Sequence, residues 1–264
     1  MISVIKMTIK KILSNLILVV CFVAICFSTF QIFKSQMDLR KIKAENQTIT
    51  DLIDDQIDDG DTTKPFVFTT EKFNELYKIN EDFVFYLHFQ NRLISIPVVQ
   101  YKDNDYYLTR TFKKGKGPQG AIFMSYENSF AHDNVVVYGH NMFGSSTLMF
   151  TPLTKLMKQK GFDDNKLFDI YFENKFTTYE VLYVYEFNIK DYPNYDFTQT
   201  VFYNQVDFDN FIAYAKKHSK VKTNSSAKFG DKLMTMQTCL SSGEDLRLIV
   251  VSKQIDTGLL AEKQ

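Results

Sequence analysis

The sequence predicts a mainly β domain, an antiparallel barrel with a few short helices, preceded by an N-terminal membrane helix. Short apolar runs rich in β-branched and aromatic residues recur between turn residues from position 83 to 253. Only a few segments carry apolar residues at helical spacing. Neither a regular alternation of helices and strands nor an internal repeat occurs, which argues against a doubly wound sheet.

The predicted strands follow from these short runs. The first two form a hairpin around 90–92, and the Val135–Val137 run indicates a strand that is buried on both faces. The full set of predicted strands is 83–89, 93–99, 106–109, 120–125, 134–138, 168–172, 178–187, 232–239 and 246–253.

Three helices are predicted within the domain, at 69–79, 147–160 and 206–218. The last places Phe208, Phe211, Ile212 and Ala215 on one face, with polar residues opposite. It forms a helical insertion just before the final pair of strands.

Composition excludes several classes of protein. Lysine plus arginine and aspartate plus glutamate number 31 each, so the formal net charge is zero and a nucleic acid partner is not expected. Three cysteines cannot form a dense disulfide framework, whereas 25 phenylalanines and 15 tyrosines can supply a large core. Neither a metal-ligand spacing nor a glycine-rich phosphate loop is visible, so we expect no metal and no cofactor.

Residues 12–33 form a nearly continuous apolar stretch, with no charge between Lys11 and Lys34. At a helical rise of about 1.5 Å per residue, such a stretch can cross a bilayer core. A cleavable signal peptide would have a shorter apolar region and small residues at its end, so an uncleaved anchor is favoured. Lysines flank both sides, and charge alone does not set the orientation.

The remaining chain divides into segments by composition. Residues 34–64 read as a polar stalk, and 51–61 contain six aspartates, a pattern typical of a solvated spacer. That acidic run could instead hold the domain away from an anionic membrane. Residues 1–11 form a short N-terminal segment, 65–255 the main β domain and 256–264 a tail.

Three side chains outside the apolar segment carry the candidate chemistry. Cys239 ends the apolar run 233–239 and lies eight residues before Arg247, and His140 follows the strand 134–138. A thiol nucleophile, an imidazole that transfers protons and a guanidinium that stabilises an oxyanion suffice for acyl transfer through a thioester. Each also has a structural alternative: a small buried thiol, a turn histidine and a surface arginine.

The segment Val135–Met142 resembles the histidine motif of sortases, and Thr238-Cys239 followed by Arg247 in 246–250 resembles their cysteine and arginine motifs. Segments 106–108 and 120–123 are similar to the family's early strands. The helical insertion before the cysteine strand favours class B. The resemblance covers roughly residues 65–255.

This resemblance implies an eight-stranded barrel and an extracytoplasmic transpeptidase of Gram-positive bacteria, with its N-terminus inside the cell. It implies Cys239 as the nucleophile, His140 as the proton carrier and Arg247 as the oxyanion partner. The substrate would be a secreted protein with a C-terminal sorting motif, cut after a threonine. The acyl group would pass to an amine of a cell-wall precursor such as lipid II.

Further residues are expected to contact substrate. The backbone N–H of Leu240 is a candidate second oxyanion donor. Gln237 stands where class B members commonly carry a serine, so the preferred motif could differ. The remaining candidates are Thr238 and three tyrosines in the stretch that leads into the helical insertion, Tyr185, Tyr192 and Tyr195.

Two alternatives remain open at this stage. A pilin-polymerising sortase would pass the acyl group to a lysine of another protein. A non-catalytic, membrane-tethered peptide-binding domain would retain the barrel without turnover. The resting state of Cys239 and His140, either an ion pair or two neutral groups, is also undecided by sequence.

Overall fold

The computed structural model describes residues 2–53, 66–142, 147–192, 195–240 and 245–260. The chain divides into two compact units, Met1–Glu45 and Asn46–Gln264, so the division falls within the predicted stalk. Helix α1 spans Ile2–Ile53. Its segment Leu13–Met37 is long and apolar enough to cross a membrane, which agrees with the predicted span 12–33.

The second unit is an eight-stranded closed barrel, as the family resemblance implies. Its strands lie in the order β1-β2-β3-β4-β7-β8-β6-β5. Six of the eight pairings are antiparallel, whereas β2 with β3 and β4 with β7 are parallel. The strands are β1 (Phe83–Phe89), β2 (Ser95–Val99), β3 (Ile122–Met124), β4 (Asn134–Tyr138), β5 (Leu167–Tyr171), β6 (Lys175–Asn188), β7 (Leu233–Cys239) and β8 (Leu246–Leu259).

Within the described part of the barrel unit, three α-helices accompany the strands: α2 (Thr70–Ile79), α3 (Gln159–Asn165) and α4 (Gln205–His218). The side chain of Asn204 caps α4 by accepting a hydrogen bond from the Asp207 N–H. Helix α4 lies between β6 and β7 in the chain, which confirms the predicted helical insertion.

Apolar side chains fill the barrel interior and cover parts of its outer face. Alternate residues of β7 and β8, including Met236, Leu248 and Val250, point into the interior cluster. Their neighbours Ile249 and Val251 point outward and pack with α4. This alternation decides which side of the sheet each functional side chain occupies.

A separate set of aromatic rings covers the outer face of β1 and β5, and we call it the aromatic cap. In it, the Phe66 ring stacks on His88 with 3.7 Å between ring centroids. The members of the aromatic cap are Phe66, Phe68, Tyr86, His88 and Tyr171.

One predicted strand is wrong. Residues Tyr106–Leu108 form a 3-10 helix, because the Asp103 carboxylate accepts hydrogen bonds from the backbone N–H groups of Asp105 and Tyr106. Such a local side-chain bond competes with pairing in a sheet. The buried Tyr107 also donates its hydroxyl hydrogen to Asp82 at 2.7 Å, which holds the turn against the barrel.

The predicted helix 147–160 is divided. Thr151–Met157 forms a 3-10 helix, and α3 begins after Lys158, whose backbone is extended. Leu153 and Leu156 are both fully buried in the barrel interior, and their spacing matches the three residues per turn of a 3-10 helix.

Candidate active site

Cys239 and Arg247 lie opposite each other at one edge of the barrel. Strand β7 ends at Cys239, β8 begins one residue before Arg247, and the two residues are register partners. Their neighbours Thr238 and Leu248 face the interior, so both functional side chains lie on the outer face. Cross-strand partners have Cβ atoms about 4.5–5.5 Å apart, which places the guanidinium within reach of chemistry at the thiol.

His140 lies at the same edge, on the other side of Cys239. Strand β4 runs parallel to β7, with Tyr138 opposite Gln237, and His140 and Cys239 each lie two residues further on. The Gly139 N–H donates to the Gln237 carbonyl at 3.1 Å. The Asn141 side-chain amide donates to the carbonyl of Cys239 at 2.8 Å. We call this place, where β4 and β7 end and β8 begins, the Cys239 edge.

The imidazole of His140 is oriented by a backbone carbonyl. Its Nε2 lies 2.9 Å from the carbonyl oxygen of Leu108. Because a carbonyl only accepts hydrogen bonds, Nε2 carries the proton in this contact. Nδ1 is then the ring nitrogen that can accept a proton during a reaction.

The residues around His140 are held by backbone contacts. The His140 carbonyl accepts from the Phe150 N–H at 3.1 Å, and the Met142 N–H donates to the Thr151 hydroxyl at 2.7 Å. A Cβ atom at Gly139 would lie 2.7 Å from the Phe150 ring, so this close approach requires glycine. The histidine therefore sits in a segment fixed on both sides.

Comparison with known proteins decides the family. A family model for the sortase domain matches residues 91–255. Sortase B of Listeria monocytogenes serovar 1/2a is 32% identical over 218 residues, 80% of this chain and 84% of that protein. The chain belongs to the sortase family. This membership confirms the resemblance in the sequence and identifies the protein as a sortase transpeptidase whose relatives are of class B.

Solved sortases share the fold. The X-ray structure of Clostridium perfringens sortase B matches with a TM-score of 0.64 at 34% identity, over 69% of this chain and 99% of that one. A Staphylococcus aureus sortase B–substrate complex matches with a TM-score of 0.71 at 24% identity, over 83% and 98%. The barrel with its helical insertion is thus the sortase B fold.

Two segments border the Cys239 edge of this sortase. On the His140 side lies Leu108, 38% exposed. On the Arg247 side the 3-10 helix Ile189–Asp191 is bound through the Ile189 N–H, which donates to the Asp245 carbonyl at 2.8 Å. Tyr192 follows that helix and is 56% exposed.

Three residues adjoining the cysteine differ in their surroundings. The Leu240 N–H donates to the Leu246 carbonyl at 3.0 Å, so in this structure it is engaged and does not face an oxyanion. Thr238 is 1% exposed and points into the barrel, which removes it from a peptide surface. Gln237 lies on the outer face, one rung before Cys239, and is largely buried.

Two of the three candidate tyrosines are core residues. Tyr185 is fully buried, and its hydroxyl lies 2.9 Å from that of Tyr195. The Tyr195 ring stacks on Tyr214 of α4 with 3.6 Å between centroids. Burial raises the pKa of both Tyr185 and Tyr195, as expected for phenols that stay neutral. These two residues fix α4 to β6, whereas Tyr192 has an exposed side chain.

The other histidines lie elsewhere. His88 is 2% exposed in the aromatic cap. The His132 Nδ1 accepts from the Ser129 N–H at 3.2 Å, and His218 stacks on Tyr214 at the end of α4.

Two acidic residues, Glu244 and Asp245, precede Arg247 in the chain. The Asp245 carboxylate forms an ion pair of 2.5 Å with Lys190, on the border of the site. Glu244 lies outside the described residues. Within the described ranges, no group of three or more His, Cys, Asp or Glu side chains is placed to hold a metal ion.

Sequence reasoning missed two contacts of the site. The carbonyl of Leu108 binds His140, and a backbone atom leaves no signature in residue type. Asn141 binds the Cys239 carbonyl, and its only signal in the sequence is an amide that follows the strand-end histidine.

Proposed function

We propose that this sortase is a membrane-anchored cysteine transpeptidase of class B. It cleaves a C-terminal sorting motif of secreted proteins after a threonine. It then transfers the cleaved protein to an amine of a cell-wall precursor such as lipid II. The observation that carries the proposal is the Cys239 edge, where one thiol lies between an arginine and a histidine segment. The solved substrate complex of a sortase B from Staphylococcus aureus supports a peptide as the ligand.

The first half-reaction forms a thioester. The proton of the Cys239–His140 pair lies on Nδ1 of the imidazole when the sulfur of Cys239 attacks the threonine carbonyl carbon, and the carbonyl π electrons move onto oxygen. When the intermediate collapses, the C–N bond breaks and the leaving amine takes a proton from His140. The products are an acyl-thioester on Cys239 and a free C-terminal fragment.

The second half-reaction passes the acyl group on. The incoming amine attacks the thioester carbonyl and transfers a proton to His140, and the C–S bond then breaks. The departing sulfur and the imidazole return to their initial states, so no external reagent is consumed. With Nε2 bound to the Leu108 carbonyl, Nδ1 is the atom that carries this proton.

Arg247 stabilises the oxyanion of both intermediates. Its guanidinium keeps its charge at any physiological pH, so it serves as an electrostatic partner and not as an acid. It stands directly across from Cys239 on the adjacent strand. The Leu240 N–H donates to the Leu246 carbonyl at 3.0 Å, and Arg247 Nη1 makes a longer contact of 3.4 Å with the same oxygen, so we assign the oxyanion to the mobile, charged guanidinium.

Anchoring follows from the first unit of the chain. Residues 12–33 would cross the membrane with the N-terminus inside, and the barrel would face the exterior, where secreted proteins and cell-wall precursors meet. The apolar segment Leu13–Met37 supports this placement by length and composition.

The test is to trap the acyl-enzyme. The full chain in detergent micelles is mixed with a library of threonine-containing peptides, and intact-protein mass spectrometry followed by fragmentation locates any adduct. We expect an acyl group on Cys239 of the wild type and none on Cys239→Ala. Release by triglycine identifies a cell-wall type acceptor, whereas release only by a pilin lysine would indicate a polymerising sortase.

Absence of an adduct across the library would contradict the proposal. If peptides bound in the same micelles without acylation, the result would instead support a peptide-binding domain that lacks turnover.

A further inference from the structure

The side-chain amide of Asn141 takes the place of a backbone N–H donor in the parallel ladder between β4 and β7. The Gly139 N–H donates to the Gln237 carbonyl, and in a parallel ladder the next N–H on this side is that of residue 141, with the Cys239 carbonyl as its acceptor. In this structure the Asn141 side-chain amide makes that bond, at 2.8 Å.

The backbone has already left the sheet at this point. Asn141 pairs with Met149 in an antiparallel bridge, and the His140 carbonyl accepts from Phe150. The chain therefore turns away from β7 at His140, which presents the imidazole at the end of the strand instead of within it. Without a substitute donor, the Cys239 carbonyl would lose its partner on the β4 side.

We propose that Asn141 is a positioning residue, whose side-chain amide fixes the Cys239 carbonyl and so sets the thiol at a constant distance from His140. Of the contacts that hold residues 139–142, this is the one that reaches the cysteine itself. The bonds of Gly139, His140 and Met142 go instead to Gln237, Phe150 and Thr151.

A misplaced nucleophile reacts slowly even when it binds substrate normally, and a shift of about 1 Å can reduce a rate about 100-fold. Loss of the Asn141 bond should therefore lower the reactivity of the thiol and kcat, while KM stays within about twofold. The kcat effect rests on the proposed function, but the reactivity of the thiol does not.

The experiment compares Asn141→Ala and Asn141→Asp with the wild type, using the full chain in detergent micelles. Asn141→Asp keeps the shape of the side chain and removes its donor. The second-order rate of alkylation of Cys239 by iodoacetamide is followed by peptide mass spectrometry, which separates it from Cys21 and Cys26. Melting temperatures are measured in parallel, and all rates are taken well below them.

Asn134→Ala is the matched control. Asn134 is fully buried at the opposite end of the same strand pair, where its side chain binds the Thr235 hydroxyl at 2.9 Å and the Gln199 carbonyl at 2.9 Å. The Asn134→Ala substitution therefore removes an asparagine contact between β4 and β7 that is far from the thiol.

We expect alkylation to slow about 10- to 100-fold in both Asn141 variants and to change less than about twofold in Asn134→Ala. Wild-type alkylation in the Asn141 variants, or an equal loss in Asn134→Ala, would overturn the positioning role. A rise in KM without a fall in kcat would also overturn it, since it would make Asn141 a substrate contact. Should the wild type cleave no peptide, the proposed function fails, and the alkylation comparison still decides this inference.

Discussion

Two histidines on the outer face of one barrel have opposite environments. His88 lies in the aromatic cap, 2% exposed, with Phe66 stacked on its ring and its Nδ1 2.9 Å from the Ser95 hydroxyl. His140 lies half-buried at the Cys239 edge, bound through Nε2 to a backbone carbonyl. Burial and, secondarily, Arg92 lower the pKa of His88 to about 3, so it stays neutral and inert at physiological pH.

The difference shows that position along the strand decides what a histidine can do. His88 is paired within the sheet, with Ser95 and Asp169, and shares its covered face, whereas His140 lies just beyond a strand end, is half-buried and is held by loop contacts. The same contrast separates Tyr185, which is buried within β6, from Tyr192, which lies beyond the end of that strand and is exposed.

Substituting each histidine in turn tests this comparison most directly. His140→Ala should lower kcat about 10²- to 10⁴-fold, because both half-reactions need a proton carrier. His88→Gln should leave kcat within about twofold of the wild type. Peptide cleavage and transfer to triglycine measure both. If His88→Gln folded fully and still showed a large loss of kcat, the assignment of His140 as the functional histidine would be wrong.

Arg247→Lys tests the Cys239 edge on its other side. Lysine keeps the charge but loses the planar, fixed guanidinium, so kcat should fall about 10²-fold with little change in melting temperature. Arg92→Lys, at a site away from the cysteine, is the control and should keep wild-type turnover. Equal activity of the Arg247 variant would show that charge alone, without geometry, suffices.

The low pKa of His88 makes stability depend on pH. Between about pH 6.5 and 3 the unfolded chain binds a proton at His88 that the folded chain does not, so acid favours unfolding. The free energy of unfolding should fall by up to about 1.4 kcal/mol for each pH unit below 6.5, with no contribution above it.

Urea denaturation at several pH values measures this slope. His88→Gln should be less sensitive to acid over the same range, since glutamine does not titrate. Identical slopes in the two proteins would mean that the aromatic cap opens readily enough to let His88 protonate in the folded state.

The smallest expected effect concerns the packing of α4. Tyr195→Phe removes the hydroxyl that meets Tyr185 and should lower the free energy of unfolding by about 1 kcal/mol, with kcat unchanged. Tyr192→Phe, on an exposed side chain, should leave stability unchanged. A fall in peptide affinity in Tyr195→Phe, but not in Tyr192→Phe, would show that Tyr195 contributes to substrate binding.

Much of this fold is readable from the sequence, because most strands are short alternating or continuous apolar runs. The helix at 206–218 and the hairpin of β1 and β2 are found nearly at their predicted bounds. The structure of Tyr106–Leu108 could not be predicted in this way. The Asp103 carboxylate and the buried Tyr107 hydroxyl decide it, and local propensity does not.

At the site, Cys239, His140 and Arg247 could be selected from residue type and spacing. What surrounds them depends on tertiary contacts. The parallel pairing of β4 with β7 brings residues 98 positions apart into hydrogen bonding at Asn141 and Cys239, and α4 buries Tyr185 and Tyr195. Neither effect leaves a local pattern in the chain.

The central claim is that the thiol and the imidazole occupy one site. Alkylation of Cys239 by iodoacetamide tests it without any substrate, in the wild type, in His140→Ala and in His132→Ala as the control. We predict that the rate falls at least about tenfold in His140→Ala alone, because only His140 can assist the thiol. Equal rates in all three proteins would contradict the account.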